Sequence, residues 1–255
     1  MRLYMLQLGL LPAFGDTALP GYLIQTDDGT NVLIDTGYPR GVRGRQEQAA
    51  AELVAAHPDD PVTAFTAEVV RNLRDDAEDL VVNRLAALGL APRDIDYLVC
   101  THFDLDHAGN HDLFTDAELV VQRRHYEAAP QYPRFRLCGA PWEAPGLRYR
   151  FLDGDTQLLP GIGLIETSGH VPGHQSVLVQ LPETGPVLLA IDAITGPEHL
   201  APDAPDMLQD MDPDVKRASV RKLRAIAERD GVALIVFGHD SEQWRILRKS
   251  PEFYG

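Results

Sequence analysis

"CTHFDLDHAGN", Cys100 to Asn110, follows the apolar run "YLV" and sets His102, Asp104, Asp106 and His107 within six consecutive positions. If the chain stays extended to Asp104, His102 and Asp104 are two apart and point to one face. A bend after Asp104 would then bring Asp106 and His107 into the same space, with Ala108 and Gly109 small enough for close packing. Carboxylates held within a few ångström of each other repel, and a divalent cation is the usual remedy. A solvated polar loop after a strand is the bland alternative. Three further stretches weigh against it: "TSGHVPGHQS" with His170 and His174, "LLAIDA" with Asp192, and "IVFGHD" with His239, each following an apolar strand-like run. Strand ends in layered folds gather at one edge, so donors remote in sequence can meet there.

The pattern around these motifs is mixed. "RLYMLQL", "GYLIQT" and "NVLIDTG" read as strands, the last two forming a hairpin across "DDGT". Residues 38–75 combine helix-favouring "RGRQEQAAAELVAA" with "HPDDP" and "VTAFTAEVVRNL", an insertion expected to form a lid or wall near the site. The period of Leu80, Val81, Leu85 and Leu88 predicts a helix over 76–88 capped by Gly89. Strands "DIDYLVCT" and "AELVVQ" flank the quoted motif, a short helix follows at "RRHYEAA", and "APQYPRFRLCGAPWEAPG" reads as a structured loop. "YRFL", "TQLLPGIGLIETS", "QSVLVQLP" and "GPVLLAIDA" continue the β pattern, broken at "PGIG". Asp212 and Pro213 open a helix to about Arg229 with Val215, Ala218, Leu223 and Ile226 on one face, before a last strand, "VALIVFGHD". No repeat and no linker divides the chain, so 1–255 reads as a single domain.

Composition narrows the function. With 44% apolar and 24% charged residues the chain can bury a core, and its net charge of −15 disfavours nucleic acid and anionic membrane as partners. Two cysteines are too few for a disulfide framework or a thiolate metal site, and Cys100 reads as a buried strand thiol. The opening "MRLYMLQLGLLPAFG" reads as a strand rather than a secretory signal, and no apolar run is long enough to span a bilayer. A cytoplasmic protein is the expectation. No Gly-x-Ser-x-Gly elbow supports a serine triad.

Taken together, "LIDTG", "THFDLDHAGN", "TSGHVPGHQS", "AIDA" and "FGHD" resemble the metallo-β-lactamase fold hydrolases, whose signature is His-x-His-x-Asp-His followed by His, Asp and His. "VQRRHYEAA", "GHVPGHQSVLV", "LLAIDAIT" and "FGHDSEQWRILRKSPEFY" resemble, more narrowly, the N-acyl-homoserine lactonases that open quorum-sensing lactones. The resemblance implies an α/β fold, an αββα sandwich of two mixed sheets flanked by helices. It also implies two divalent metal ions per chain, zinc by default, with manganese, iron or cobalt as alternatives. One would be held by His102, Asp104 and His170, the other by Asp106, His107 and His239, with Asp192 bridging. A water or hydroxide between them would attack the lactone carbonyl, and Asp106 would also relay a proton as the catalytic residue. The implied partner is a small-molecule lactone or ester, and a homodimer is the implied assembly. An ester, organophosphate or thioester hydrolase of the same fold is the rival enzyme, and a metal-binding scaffold without turnover is the rival outside enzymes.

Two positions depart from the family. Asp104 stands where the family usually has histidine; two +2 ions, three carboxylates and a hydroxide sum to a neutral centre, with a leaning toward manganese or iron. Thr195, three positions beyond Asp192, stands where homoserine lactonases usually carry tyrosine. Among the remaining residues, His174, Asp35 and Asp240 are expected to orient the site from behind. His57, His111, His125 and His199 lack motif context and are assigned to surface or packing. Phe14, Phe65 and Trp142 are candidate walls of an apolar acyl pocket.

Overall fold

The chain opens as a long hairpin, β1 (Arg2–Leu11) against β2 (Thr17–Gln25), and β2 pairs in turn with β3 (Asn31–Ile34). Both β1 and β2 extend further than the sequence pattern suggests. Gly9 and Pro20 do not break them, because the register shifts between Gln7 and Gly9, opposite Pro20 and Leu19, and a bulge tolerates a residue without an N–H. The structure, a computed structural model, describes all residues but Asp75, Pro202 and Asp203, and all side chains but those of Leu137 and Cys138. Asp75 is the last residue of the expected insertion, and it lies outside the described residues.

Three parallel pairings complete the first sheet: β3 with β4 (Tyr97–Val99), β4 with β5 (Glu118–Gln122), and β5 with β6 (Arg148–Leu152). The second sheet holds β7 (Thr156–Leu159), β8 (Ile162–Glu166), β9 (Gln175–Leu181), β10 (Gly185–Ile191) and β11 (Leu234–Phe237), in the order β11-β10-β9-β8-β7. Only β10 and β11 run parallel in it. Alternation decides the layers. Val32, Ile34, Val99 and Val120 meet Val177, Val179, Val187 and Leu189 between the sheets, while Leu33, Leu98, Leu119 and Val121 face a separate outer core. Continuous apolar runs are what strands buried on both faces require.

Helices cover the outer faces, giving the αββα sandwich. α6 (Pro213–Asp230) packs Val220, Leu223 and Ile226 against Leu188 and Ala190; Asp212 caps its start and Gly231, with φ 63°, closes it. Its buried face is not quite the expected one: Ala218 is exposed and Lys216 is buried, because Lys216 turns in toward Asp210. The expected helix over 76–88 is broken. A single turn, Ala77–Asp79, is followed by an extended Leu80 and the short α3 (Val81–Ala86). The buried Asp79 takes hydrogen bonds from Gln7, Arg74 and Arg84, and these hold the break open. The insertion supplies α1 (Gln46–Ala56) and α2 (Pro61–Asn72), which share a core with Leu11, Leu19 and Tyr38.

Candidate metal centre

β3, β4, β8, β10 and β11 all end at one edge of the sandwich, and each hands on to a segment carrying the motif residues. After β4 the chain runs extended through His102 to Asp104 (φ −63°, ψ 153°) and bends into a single helical turn, α4 (Leu105–Ala108), which carries Asp106 and His107. Gly109 is required at the end of that turn: a Cβ there would lie 2.2 Å from Pro39 N and 2.4 Å from Gly37 O. Asn110 fastens the same contact by donating to Thr36 O and Tyr38 O. Ile191 holds φ 53°, a strained value for a β-branched residue, and so turns Asp192 into the cluster. Gly238 leaves room for it, since a Cβ there would be 2.6 Å from Ile191 O.

All seven expected donors come together. Asp104 Oδ2 lies 3.2 Å from His102 Nε2 and 3.1 Å from His170 Nε2, and Asp192 Oδ2 faces the same two nitrogens at 3.7 and 3.4 Å. On the other side, Asp106 Oδ2 lies 3.4 Å from His107 Nε2 and 3.7 Å from His239 Nε2, with Asp192 Oδ1 at 3.6 and 3.1 Å from them. Donors about 2.0–2.1 Å from a tetrahedral ion are spaced by about 3.3 Å, so both groups have the dimensions of a metal subsite. One carboxylate, Asp192, turns an oxygen to each.

The tautomers agree with this. His170 donates through Nδ1 to Asp210 Oδ1 (3.0 Å), His107 to Asp35 Oδ2 (2.8 Å) and His239 to Ala18 O (3.2 Å). Thr101 gives its hydroxyl hydrogen to Asp35 (2.7 Å), so its oxygen accepts from His102 Nδ1 at 3.0 Å. With Nδ1 occupied in all four rings, every Nε2 offers a lone pair to the centre. His102 Nε2, His107 Nε2 and Asp192 Oδ1 are buried there without a hydrogen-bond partner, a costly arrangement that a bound cation would remove. The electrostatics of the bare donors point the same way. Burial opposes charge on His239, but Asp192 and Asp106 raise its pKa to about 9. Burial likewise opposes charge on His107, which Asp106, Asp192 and Asp35 nevertheless lift well above the usual range. Asp192 is drawn well below the carboxylate range against its own burial, chiefly by His239 and His107. The same carboxylates that draw positive charge onto these imidazoles would draw a divalent cation to the centre.

Behind the donors stand residues of three kinds. Asp35 and His174 orient the site as expected: His174 is buried, exchanges a hydrogen bond with Thr167 Oγ1 at 2.8 Å and accepts one from Asp192 N at 3.3 Å. Asp240 does not; it caps the helix α7 (Ser241–Ile246) through Glu242 N and Gln243 N. A third group lies outside the ligand motifs of the sequence. Arg134, in the proline- and aromatic-rich loop, pairs with both oxygens of Asp104. Asp210, behind His170, is paired in turn with Lys216. His125 accepts from Phe103 N at 2.8 Å and donates to Pro172 O at 2.7 Å, fixing the backbone between His102 and Asp104. Counting donors alone therefore misjudges the charge of the centre, because Arg134 adds a positive unit beside Asp104.

A cavity of about 320 Å³ opens over the donors. Leu11, Phe14, Leu19, Val62, Phe65 and Val69 form its apolar wall, and Arg134, Thr195, His199 and Gln209 its polar one. Phe14 and Phe65 meet edge-on at 6.3 Å between centroids. Trp142 plays no part: it is buried elsewhere, stacked on Phe103 at 4.6 Å. His199 is not a surface residue either. It lines the cavity and shares a 2.8 Å hydrogen bond with Thr195 Oγ1, and burial lowers its pKa. His111 and His125 are buried, and Cys100 is a buried thiol that donates to His102 O.

Comparison with known proteins identifies the family. Residues 20–239 match the profile of the metallo-beta-lactamase superfamily. The chain is 31% identical over 233 residues to N-acyl homoserine lactonase AiiA of Bacillus thuringiensis subsp. kurstaki, covering 91% of this chain and 85% of that protein. It is 41% identical over 183 residues to N-acyl homoserine lactonase AttM of Azorhizobium caulinodans, covering 68% of each. A solved structure of an N-acyl homoserine lactone hydrolase, with the product N-hexanoyl-L-homoserine bound at its catalytic metal centre, superposes with a TM-score of 0.82 at 28% identity, over 99% of this chain and 98% of that one. The chain belongs to the metallo-beta-lactamase superfamily and, within it, to the N-acyl homoserine lactonase family.

Proposed function

We propose that this protein is a dinuclear metal-dependent hydrolase that opens the ring of an N-acyl-homoserine lactone. The observation that carries the reading is Asp192, whose two oxygens face two separate groups of two imidazoles and one carboxylate. Two divalent ions in those groups would supply a Lewis acid for the carbonyl and an activated water at neutral pH. His102, Asp104 and His170 would hold one ion and Asp106, His107 and His239 the other, with Asp192 turning an oxygen to each group. Four nitrogens and three carboxylates suit zinc, our first choice, and also manganese, iron or cobalt. The chain's own residues set the rest. Water adds to the carbonyl carbon, the ring C–O bond breaks, and Asp106 carries the proton to the departing alkoxide, yielding a hydroxy acid.

The cavity fits such a substrate. Phe14, Phe65 and Val69 offer an apolar wall to an acyl chain, and Thr195 with His199 offers hydrogen bonds to its amide and ring oxygens. Because Phe65 and Val69 lie on α2, we assign the segment 38–75 as a lid that closes over the acyl chain. Other carboxylic esters are the second reading, favoured by Thr195, hydrogen-bonded to His199, standing where the lactonases usually place a tyrosine. The test couples metal quantification to hydrolysis of N-hexanoyl-homoserine lactone, phenyl acetate and a phosphotriester at constant pH. Two metals per chain with lactone turnover well above the others is expected. Two metals with ester turnover only would move the substrate class, and no bound metal would remove the centre itself.

A further inference from the structure

Arg134 sits on the turn Pro133–Gly139 and reaches back to the start of α4. Its Nε donates to Asp104 Oδ1 at 2.8 Å and its Nη2 to Asp104 Oδ2, while Nη1 donates to Gln209 O at 2.7 Å. The side chains of Arg134 and Asp104 are 10% and 14% exposed, so the pair is bidentate and largely withdrawn from water. The same Oδ2 that meets Nη2 also faces His102 Nε2 and His170 Nε2. Asp104 thus stands between a permanent cation on one side and the proposed metal subsite on the other.

We infer that Arg134 cancels the charge of Asp104, so that this subsite presents its metal with no more negative charge than a neutral imidazole at the same position would. The inference rests on the reading that the seven donors hold two metals. An anionic oxygen ligand strengthens cation binding and reduces the cation's pull on water and carbonyl; a guanidinium on the far side of the carboxylate offsets both effects. The pair is interdependent. Removing the carboxylate leaves an uncompensated buried guanidinium next to a divalent ion, and removing the guanidinium leaves the carboxylate free to bind the metal more strongly.

The test is metal content per chain, measured after loading with excess zinc or manganese and desalting, with circular dichroism confirming the fold of each variant. The wild type is expected to hold two. Asp104→His, although histidine is a good metal ligand, is expected to fall to about one, because the unpaired Arg134 repels the ion. Asp104→His/Arg134→Met is expected to return to two. Arg134→Met alone is expected to keep two and to release the metal of the His102, Asp104 and His170 subsite to a chelator about tenfold more slowly than the wild type, whereas Arg134→Lys releases it at the wild-type rate. Two metals in Asp104→His, one in the double variant, or one in Arg134→Met would each overturn the charge-balancing role, the last by making Arg134 a clamp on the ligand. If Asp104→His does not fold, the arginine series decides alone, and equal retention in the wild type, Arg134→Met and Arg134→Lys refutes the inference. A folded wild type with no bound metal would instead defeat the dinuclear reading beneath it.

Discussion

The two halves of the centre use nearly the same donors and stand in opposite electrical surroundings. Each has two imidazole Nε2 atoms, one carboxylate of its own and one oxygen of Asp192. Behind His102, Asp104 and His170, the carboxylates of Asp104 and Asp210 are matched by Arg134 and Lys216, so two negative and two positive charges leave no net charge. Behind Asp106, His107 and His239 stand Asp106 and Asp35, and Asp35 is tied to neutral Thr101 and to His107, which leaves two negative charges. Similar ligands therefore do not make equivalent subsites. If the two groups hold ions as proposed, the first is arranged to hold its ion lightly and keep it electrophilic, the second to hold its ion firmly.

The most damaging change should be the one that ignores this difference. Asp192→Ala removes the oxygen that each half depends on, and metal content should fall below one per chain. Lactone turnover should drop about 10³-fold, the size of a loss of several kcal/mol of transition-state stabilisation. An Asp192→Ala variant that still holds two metals would show that the halves do not share this residue. Next come the carboxylates behind the imidazoles. Asp35→Asn and Asp210→Asn should each weaken metal binding about 10–100-fold, in different halves. The contrast is sharpened by Lys216→Met, which should tighten the first subsite; if it weakens that subsite, the cations there are scaffolding only. Within the wild type, chelation should proceed in two steps, the subsite of His102, Asp104 and His170 emptying first. His170→Ala should retain its one remaining ion at about tenfold higher chelator than His239→Ala does, a difference of about 1.4 kcal/mol. Reversal of that order would contradict the charge count.

The sequence displays one of these halves better than the other, and its donors better than their setting. His102, Asp104, Asp106 and His107 are local to one strand end, and His170, Asp192 and His239 each follow an apolar run, so both the sandwich and the convergence of the strand ends could be read from alternation and motif. What surrounds the donors could not. Asp35 is adjacent to a strand and stood out in "LIDTG", whereas Arg134 and Asp210 come from segments without periodicity, where nothing local indicates which side chain turns inward. Lys216 was hidden differently: helical spacing favours Ala218 on the buried face, and only the buried carboxylate of Asp210 explains why a lysine is there instead. The break at Leu80 has the same origin, since Asp79 collects Arg74 and Arg84 from flanking segments. Long-range ion pairs that override a local pattern are the common element in these misses.

Acid should separate the halves once more, with a smaller effect. His125 braces the first subsite from behind by accepting from Phe103 N, and burial, aided by His102, lowers its pKa from 6.5 to about 3. Between those values the unfolded chain takes up a proton that the folded chain refuses, so stability present above pH 6.5 is lost as pH falls toward 3, by up to about 1.4 kcal/mol per unit. His111, lowered to about 4 by burial, and His174, lowered well below its usual range by burial and by His102, add to the same slope. His107 and His239 do not, because their raised pKa values give a stabilising contribution already complete below pH 6.5. Urea midpoints of metal-free protein from pH 6.5 to 5 should therefore decline steeply. His125→Gln, which can still accept from Phe103 N and donate to Pro172 O, should cost some stability at pH 7.5 and flatten that decline by up to the single-proton amount. An unchanged slope would mean that His125 takes up its proton inside the folded protein, and that the bond to Phe103 N gives way before the fold does.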